Sequence, residues 1–307
     1  MRSAKIALSA LLCAALVAAC DSGSEPVAVA AWAPPAESEI PADSFGASVR
    51  RGLALLRFTP ESLPAYATSS LRCTSCHQFD GRKESAPPLI TAHARYPRYL
   101  DRTGAVVSIQ DRVNYCFTRS LAGNALPGNS REMSDIIAYL AFLSRGAPVG
   151  GLPSVPTGMA PMAEMLVGDT TRGRELFTAT CVTCHGVDGA GAILGVPALW
   201  GAQSYSIGAS MARHERGAAF IFRNMPQDKP GSLTAQDAFD LSAYVNSHER
   251  PDSPGKEFDF PGGDAPADVP YATRGHTPPR PTPRLLPRAN PDGATVPAPP
   301  SVRRGAP

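Results

Sequence analysis

The chain has little net charge, few aromatic residues and no second long apolar run, and each shortage excludes a class of protein. Of its 307 residues, 18% are charged and 7% aromatic, and the formal net charge is +2. Removal of the N-terminal signal described below takes away two basic residues and leaves the charges balanced. Because phosphate binding needs a positive excess, we expect no nucleic-acid partner. Beyond the N-terminus no apolar stretch approaches the length of a membrane span, so none is predicted there.

The first 20 residues are typical of a bacterial export signal. Two basic residues are followed by an apolar run from Ile6 to Ala19, which is short for a membrane-spanning helix. The run ends in Val17-Ala18-Ala19-Cys20, which resembles the lipobox of bacterial lipoproteins, a family in which the cysteine is acylated. We therefore predict a lipoprotein signal peptide over 1–20, lipidation of Cys20 and a lipid-anchored protein on the periplasmic side of a bacterial membrane. An ordinary cleaved signal peptide is the alternative, and it exports the protein as well.

Four of the seven cysteines form two copies of a C-x-x-C-H motif. The copies read Cys73-Thr-Ser-Cys76-His77 and Cys181-Val-Thr-Cys184-His185. This spacing is the covalent attachment motif of haem c, in which the thiols bond to the two vinyl groups and the histidine becomes the proximal iron ligand. A zinc half-site or a redox dithiol would explain a single copy, but no further Cys or His pair completes a zinc site. The two copies therefore predict two covalently bound haem c groups, haem 1 and haem 2.

The two motifs lie in similar halves of the chain. Gly52 and Gly173 occupy matching positions in the helix that is predicted before each motif. A closing helix is predicted to begin near Ser130 in the first half and after a capping box, Thr234 to Asp237, in the second. The predicted fold class is therefore mainly α, with two cytochrome c-type haem domains in tandem, related as an internal repeat.

Composition sets the remaining boundaries. Of 32 prolines, 15 lie in residues 251–307, which is typical of a tail rather than of a packed domain. The stretch between the halves is rich in glycine and proline. We predict a flexible tether over 21–44, haem domain 1 over 45–146, a Gly/Pro linker over 147–167, haem domain 2 over 168–251 and a disordered Pro-rich C-terminal tail over 252–307.

The second axial ligand of haem 2 is predicted to be Met225. It lies 40 residues after His185 and directly before a proline. A thioether is a common sixth ligand in such domains and raises the reduction potential. Met211 is its nearest rival.

The same offset applied to the first half leads to the one cysteine that is left over. Cys116 lies 39 residues after His77. We predict that the Cys116 thiolate is the axial ligand of haem 1 and lowers its potential below that of haem 2. A buried free cysteine is the alternative, with Met133 or His93 as the ligand.

Arginines are concentrated around Cys116. Residues 95–119 hold five of them against two aspartates, the five being Arg95, Arg98, Arg102, Arg112 and Arg119. Arg112 precedes Cys116 by four residues, which is one helical turn. Guanidinium groups bind oxyanions through paired hydrogen bonds, so the cluster predicts an anion site beside the thiolate. Binding of haem propionates is the alternative role for single arginines of the cluster.

Residues 45–251 resemble the dihaem thiosulfate dehydrogenases. The match is carried by Arg112-Val-Asn-Tyr-Cys116-Phe-Thr-Arg119-Ser120-Leu-Ala-Gly123, Ile137-Ala-Tyr139-Leu140, Pro197-Ala-Leu-Trp200-Gly201, Ser204-Tyr205, Gly208-Ala-Ser-Met211 and Asn224-Met225-Pro226. The resemblance implies that haem 1, with His and Cys ligands, lies at the active site and that haem 2 transfers electrons. It also implies that Arg102, Arg112 and Ser120 line the substrate pocket. Some members carry a lysine before the distal methionine, whereas this chain has Asn224.

The resemblance implies an oxidoreductase that couples two thiosulfates to tetrathionate, a reaction that is reversible in principle. Electrons would pass from haem 1 to haem 2 and on to a soluble cytochrome or similar acceptor. The catalytic residues would be Cys116, Arg102, Arg112 and Ser120. Two alternatives remain open: a non-catalytic dihaem electron-transfer cytochrome or subunit of a membrane dehydrogenase, and a sulfur-oxidation cytochrome that acts on a carrier-protein thiol.

Overall fold

The computed structural model describes residues 32–152 and 154–288, and the described residues from Pro34 onward form one compact unit. The predicted signal peptide and Cys20 lie outside the described residues. In the ranges that are described, none of the helices has the length and apolar character needed to span a bilayer. Lipidation of Cys20 therefore stays a prediction.

The first half is helical, with one small sheet. Its helices are α1 (Ser44–Arg57), α2 (Thr59–Ser62), α3 (Cys73–Cys76), α4 (Gln78–Gly81), α5 (Ile109–Tyr115) and α6 (Arg131–Leu143). A π-helical turn, Cys116–Ser120, follows α5 directly. Strands β1 (Arg98–Leu100) and β2 (Ala105–Val107) pair antiparallel, with Tyr99 opposite Val106. Short 3₁₀ turns lie at Glu37–Glu39 and His93–Arg95.

The second half repeats this order with fewer insertions. Its helices are α7 (Thr170–Thr180), α8 (Val182–His185), α9 (His214–Asn224) and α10 (Ala235–Ser247). Strands β3 (Arg250–Pro251) and β4 (Leu285–Leu286) pair in parallel. Short 3₁₀ turns lie at Ser210–Ala212 and Lys256–Phe258.

The two halves cross their first and last helices in the same way. A Cβ on Gly52 in α1 would lie 2.0 Å from the carbonyl oxygen of Asp135 in α6, so only glycine permits this approach. A Cβ on Gly173 in α7 would lie 2.1 Å from the carbonyl oxygen of Asp240 in α10. The residue before each glycine pairs with the same aspartate, in Arg51–Asp135 at 2.7 Å and Arg172–Asp240 at 2.5 Å. The tandem, mainly α fold and its internal repeat are confirmed.

The predicted helix starts are also confirmed, because each depends on a local side-chain cap. The Ser130 hydroxyl accepts a hydrogen bond from the Met133 N–H at the start of α6. In α10 the Thr234 hydroxyl accepts from the Asp237 N–H at 3.1 Å, and the Asp237 carboxylate accepts from the Thr234 N–H at 3.0 Å. These reciprocal bonds satisfy amide groups that have no partner inside the helix.

Residues 252–288, here called the strap, pack on the haem domains, so the predicted tail boundary at residue 252 is too early. Phe260, Val269 and Tyr271 are at most 5% exposed and belong to the same apolar core as α1 and α6. Pairing of β4 with β3 holds the far end of the strap. A few large apolar side chains between prolines are enough to cover a core without any periodic pattern. Residues 289–307 lie outside the described residues.

Residues of the predicted tether, 21–44, also pack on the first half. Ile40 is buried in the core, its carbonyl accepts a hydrogen bond from Arg50, and Asp43 caps α1. Between the halves, the described part of 147–167 contains no helix or strand, and single contacts attach it to the rest of the chain. Met159 there is 7% exposed, and the Gly150 N–H donates to the Ala94 carbonyl.

The strap also covers His214, at the start of α9. Two amino groups of Arg280 lie 3.1 Å from the two ring nitrogens of His214. Burial, together with the charge of Arg280, lowers the pKa of His214 to about 4. The neutral ring is therefore the form that the folded protein holds.

This burial predicts that acid weakens the fold. Above pH 6.5, the ordinary pKa of histidine, the imidazole is neutral in both states. Between pH 6.5 and about 4, His214 binds a proton in the unfolded chain but not in the folded protein. The free energy of unfolding therefore falls by at most about 1.4 kcal/mol for each pH unit of acidification. Denaturant unfolding at pH 7 and pH 5 measures this. His214→Gln should show a smaller decline than the wild type, whereas a variant of exposed His93, His93→Gln, should decline like the wild type.

Candidate functional site

The first C-x-x-C-H motif opens into an apolar cleft. Cys73, Cys76 and His77 line it on one side, and Cys116 and Ser120 line it on the other. The remaining walls are mostly aliphatic and include Leu56, Leu71, Leu89, Val113, Ile136 and Leu140. Two thiols for thioether bonds, an imidazole and an aliphatic lining are the groups that a covalently attached porphyrin requires.

The His77 ring is oriented by the backbone. Its Nδ1 lies 2.6 Å from the carbonyl oxygen of Pro87, so Nδ1 carries the proton and donates. Nε2 is then the unprotonated nitrogen that can bind a metal. This is the tautomer that a proximal iron ligand needs.

Cys116 lies across the cleft, where the π-helical turn begins. The Arg112 Nη1 donates a hydrogen bond to the Cys116 Sγ at 2.9 Å, which follows from their spacing of one helical turn. Burial alone would raise the pKa of Cys116, but the charge of Arg112 is the largest effect that opposes burial, and this pKa is lowered to about 6. At neutral pH Cys116 is a thiolate, the form that acts as a nucleophile and as an iron ligand.

The other two thiols of the cleft behave in the opposite way. Burial raises the pKa of Cys73 to about 11 and that of Cys76 to about 12. No arginine is among the causes of either shift. Before haem is attached, the three cysteines of this cleft are therefore two neutral thiols and one thiolate.

Some of the predicted pocket residues contact Cys116 or line its cleft, and others bind partners of their own. Arg112 and Ser120 adjoin the thiol or line its cleft. Arg102 instead donates from Nη1 to the Gly208 carbonyl at 2.7 Å, and burial lowers its pKa. The Arg119 guanidinium forms an ion pair with Asp259 of the strap at 2.6 Å. The predicted arginine cluster is thus divided between the thiolate and a second group under the strap.

Asp259 and Phe260 are contacts of this second group that the sequence does not reveal. They lie 157 and 158 residues after Arg102, in a Pro-rich stretch without periodicity. The one signal in the sequence is that large apolar residues, which are usually buried, occur in an otherwise polar tail. That signal does not say which surface they cover.

The second C-x-x-C-H motif lies beside an aromatic cluster. Phe177 of α7 and Tyr244 of α10 pack with Trp200, at ring separations of 5.2 and 5.8 Å from it. Cys181 packs against the same cluster. Burial lowers the pKa of His185, and the nearby Pro197 carbonyl partly offsets this effect. No group of the described chain meets full hydrogen-bond geometry with its Nδ1.

Met225, the predicted ligand of haem 2, lies where α9 ends. Its N–H donates to the Ile221 carbonyl, and its side chain packs with the cluster that contains Ala86 and Phe220. Asn224 is fully buried, and its side chain donates to the Ser85 carbonyl at 3.0 Å while accepting from the Ser85 hydroxyl. The segment that carries Met225 is thus bonded to the loop of the first half that precedes Pro87.

A buried guanidinium supplies a further test of fit for haem. Arg250 is fully buried, stacks over the Tyr205 ring at 4.5 Å and donates from Nη2 to the Val245 carbonyl. Its Nε and Nη1 have no hydrogen-bond partner in the described chain. A buried cation requires an anion, and a haem propionate is an anion that this cofactor brings. The residues present therefore fit haem c at the thiols, at the imidazoles and at this cation.

Two family models match the two halves. Residues 65–149 match the SoxA/TsdA cytochrome c domain, and residues 170–249 match the cytochrome c domain. These domains bear two covalently bound haem c groups, so the cofactor prediction is confirmed.

Curated relatives and a solved structure extend the match over most of the chain. The thiosulfate dehydrogenase of Psychrobacter arcticus is 40% identical over 76% of this chain and 73% of its own. That of Stutzerimonas stutzeri is 37% identical over 72% of this chain and 73% of its own. The structure of thiosulfate dehydrogenase TsdBA from Marichromatium purpuratum in its as-isolated form superposes with a TM-score of 0.67 at 31% identity, covering 74% of this chain and 51% of that one.

Proposed function

The chain belongs to the thiosulfate dehydrogenase family of dihaem cytochromes c, and from that premise we propose that it joins two thiosulfates to form tetrathionate at Cys116. The single observation that carries this proposal is the Cys116 thiolate, which lies opposite His77 with the Arg112 guanidinium 2.9 Å away. A plain electron carrier requires neither a thiolate nor a cation beside it. The haem groups supply the electron acceptor, and an external cytochrome or similar protein receives the electrons in turn.

The first role of the two arginines and Ser120 is to bring two thiosulfate anions together. Two thiosulfate dianions repel each other, so the main barrier to coupling is electrostatic. Arg112 offsets this charge at the thiolate, and Arg102 carries a second positive charge that no carboxylate of the described chain neutralises within ion-pair distance. Ser120 lines the cleft and offers a hydroxyl to a sulfonate oxygen.

The second role belongs to the Cys116 sulfur. In the proposed first step the thiolate and the outer sulfur of one thiosulfate form a disulfide bond and give up two electrons, which the attached haem groups would accept. In the second step the outer sulfur of another thiosulfate attacks the thiosulfate-derived sulfur of this disulfide. Tetrathionate departs and the Cys116 thiolate is regenerated, so atoms and charges balance. Run backwards, the same steps reduce tetrathionate.

Electron paramagnetic resonance of the oxidised protein at low temperature tests the ligand set. We expect two low-spin ferric signals, one typical of thiolate ligation with histidine and one of histidine with methionine. The first would place Cys116 on haem 1 and the second Met225 on haem 2. Two histidine–methionine or bis-histidine signals would contradict the proposal.

Steady-state assays separate the alternatives. We expect the purified single chain to oxidise thiosulfate with ferricyanide as acceptor and to release tetrathionate. A non-catalytic electron carrier would show no such activity. A sulfur-oxidation cytochrome acting on a carrier-protein thiol would turn over only after its partner is added. Export and membrane anchoring through Cys20 are part of the same proposal and are tested by fractionation of cells that produce Cys20→Ser.

A further inference from the structure

The strap contacts Arg102 and Arg119, two of the arginines that the sequence predicts for the anion site. Asp259 is 3% exposed, and its two carboxylate oxygens each accept a hydrogen bond from Arg119 at 2.6 Å. The Tyr271 hydroxyl donates to the same carboxylate at 2.7 Å. This bidentate pair is the strong form of arginine recognition, so Arg119 is fixed in position and its charge is neutralised.

The next residue of the strap meets Arg102. The Phe260 N–H donates to the Arg102 carbonyl at 2.8 Å, and the Phe260 ring lies 5.4 Å from the centre of the Arg102 guanidinium. Pro261 then packs on Gly104, which has a φ of +60°, and a Cβ there would lie 2.5 Å from the proline ring. The loop that carries Arg102 is therefore held at its backbone and at its guanidinium face.

The two guanidinium groups converge on one peptide. Arg102 donates to the Gly208 carbonyl at 2.7 Å, and a Cβ on Gly208 would lie 3.4 Å from the Nη1 of Arg119. Asp259 compensates one of these two cations and is bound to Arg119. No carboxylate of the described chain lies within 4 Å of the Arg102 guanidinium. Since a mostly buried cation without a counter-ion is costly, Arg102 is the cation of this pair that an anionic ligand satisfies.

We propose that Phe260 is a positioning residue that holds the Arg102 guanidinium for thiosulfate, while Asp259 occupies Arg119 and so leaves Arg102 as the anion-binding group. The inference rests on the proposed function, because thiosulfate is the anion in question. It makes the strap a part of the substrate site. Phe260 itself touches Arg102 and acts through it.

Phe260→Leu in the full-length holoenzyme tests this role, because leucine keeps an apolar side chain and removes the ring face. We expect the KM for thiosulfate to rise roughly 3- to 30-fold, with a smaller change in kcat. The inhibition constant of sulfate, a non-reacting oxyanion, should rise by a similar factor. Haem content and the thiolate resonance signal should match those of the wild type.

A matched control and a double-mutant cycle complete the test. Phe258 lies two residues earlier and is 73% exposed, so Phe258→Leu should leave KM and the sulfate constant unchanged. If Phe260 acts through Arg102, Phe260→Leu should have no further effect on KM in an Arg102→Ala background. Phe260→Met, which fills the space with a flexible side chain, should reproduce the leucine result if the leucine variant folds poorly.

The outcomes distinguish this inference from the proposed function. A wild-type holoenzyme without thiosulfate oxidation would contradict the proposed function. An active wild type whose Phe260→Leu and Phe260→Met variants keep the wild-type KM would overturn the role of Phe260 alone. Additive effects of Phe260→Leu and Arg102→Ala would overturn it as well.

Discussion

Cys116→Gly is expected to abolish thiosulfate oxidation while both haem groups stay attached. Attachment uses the thiols of the two C-x-x-C-H motifs, and Cys116 is not among them. The variant removes the sulfur that Arg112 holds across from His77, together with the covalent step that the sulfur performs. We expect kcat to fall by roughly a thousandfold or more, as it does when a nucleophile is deleted. The number of haems per chain measures attachment, and initial rates with ferricyanide as acceptor measure the loss of activity.

Thr118→Ala is the matched control for that substitution. Thr118 lies on the same π-helical turn, two residues after Cys116, and its hydroxyl donates to the Asn114 carbonyl. It should keep both haems and nearly full activity. The thiolate signal should be lost in Cys116→Gly and kept in Thr118→Ala. Wild-type turnover by Cys116→Gly would show that this sulfur is not catalytic.

Short-range features of the molecule were predictable from the sequence because their causes are local. The capping box at Thr234 depends on residues three apart, and the contact of Arg112 with Cys116 depends on one helical turn. The repeat was predictable because Gly52 and Gly173 each permit a close helix crossing that a side chain would block. Cys116 as a cleft residue followed from the repeat, since it occupies the position of Met225.

Long-range features were not predictable because they depend on which surfaces meet. Arg119 was grouped with the anion-binding arginines, but a carboxylate 140 residues away neutralises it. The contacts of Arg102 with the Gly208 carbonyl and with Phe260 of the strap likewise join residues that are more than 100 positions apart. In the strap, the high proline content indicates a tail, because composition gives the frequency of the apolar residues and not their burial. A proline-rich segment with a few large apolar residues is therefore compatible with either a free tail or a fixed covering.

A chain that ends after Pro251 is expected to be strongly destabilised and to lose its activity. It lacks Phe260, Val269 and Tyr271, and burial of each such side chain contributes about 1.5–3 kcal/mol. Part of this loss is offset, because the shorter chain no longer has to order the strap. A net loss of about 4 kcal/mol would lower the melting temperature by roughly 8 to 16 °C in a protein of this size.

A second truncation decides whether the strap itself is responsible. A chain that ends after Arg288 loses none of the contacts described here, so its melting temperature and KM should equal those of the full-length protein. The chain that ends after Pro251 should melt earlier, expose the core around Leu53 and Leu56, and show a raised KM in whatever fraction stays folded. If that chain has also lost haem, its raised KM reflects misfolding; if it keeps haem, the raised KM reflects a defect in anion binding. Equal melting and equal KM for both truncations would mean that the strap neither supports the core nor orders Arg102.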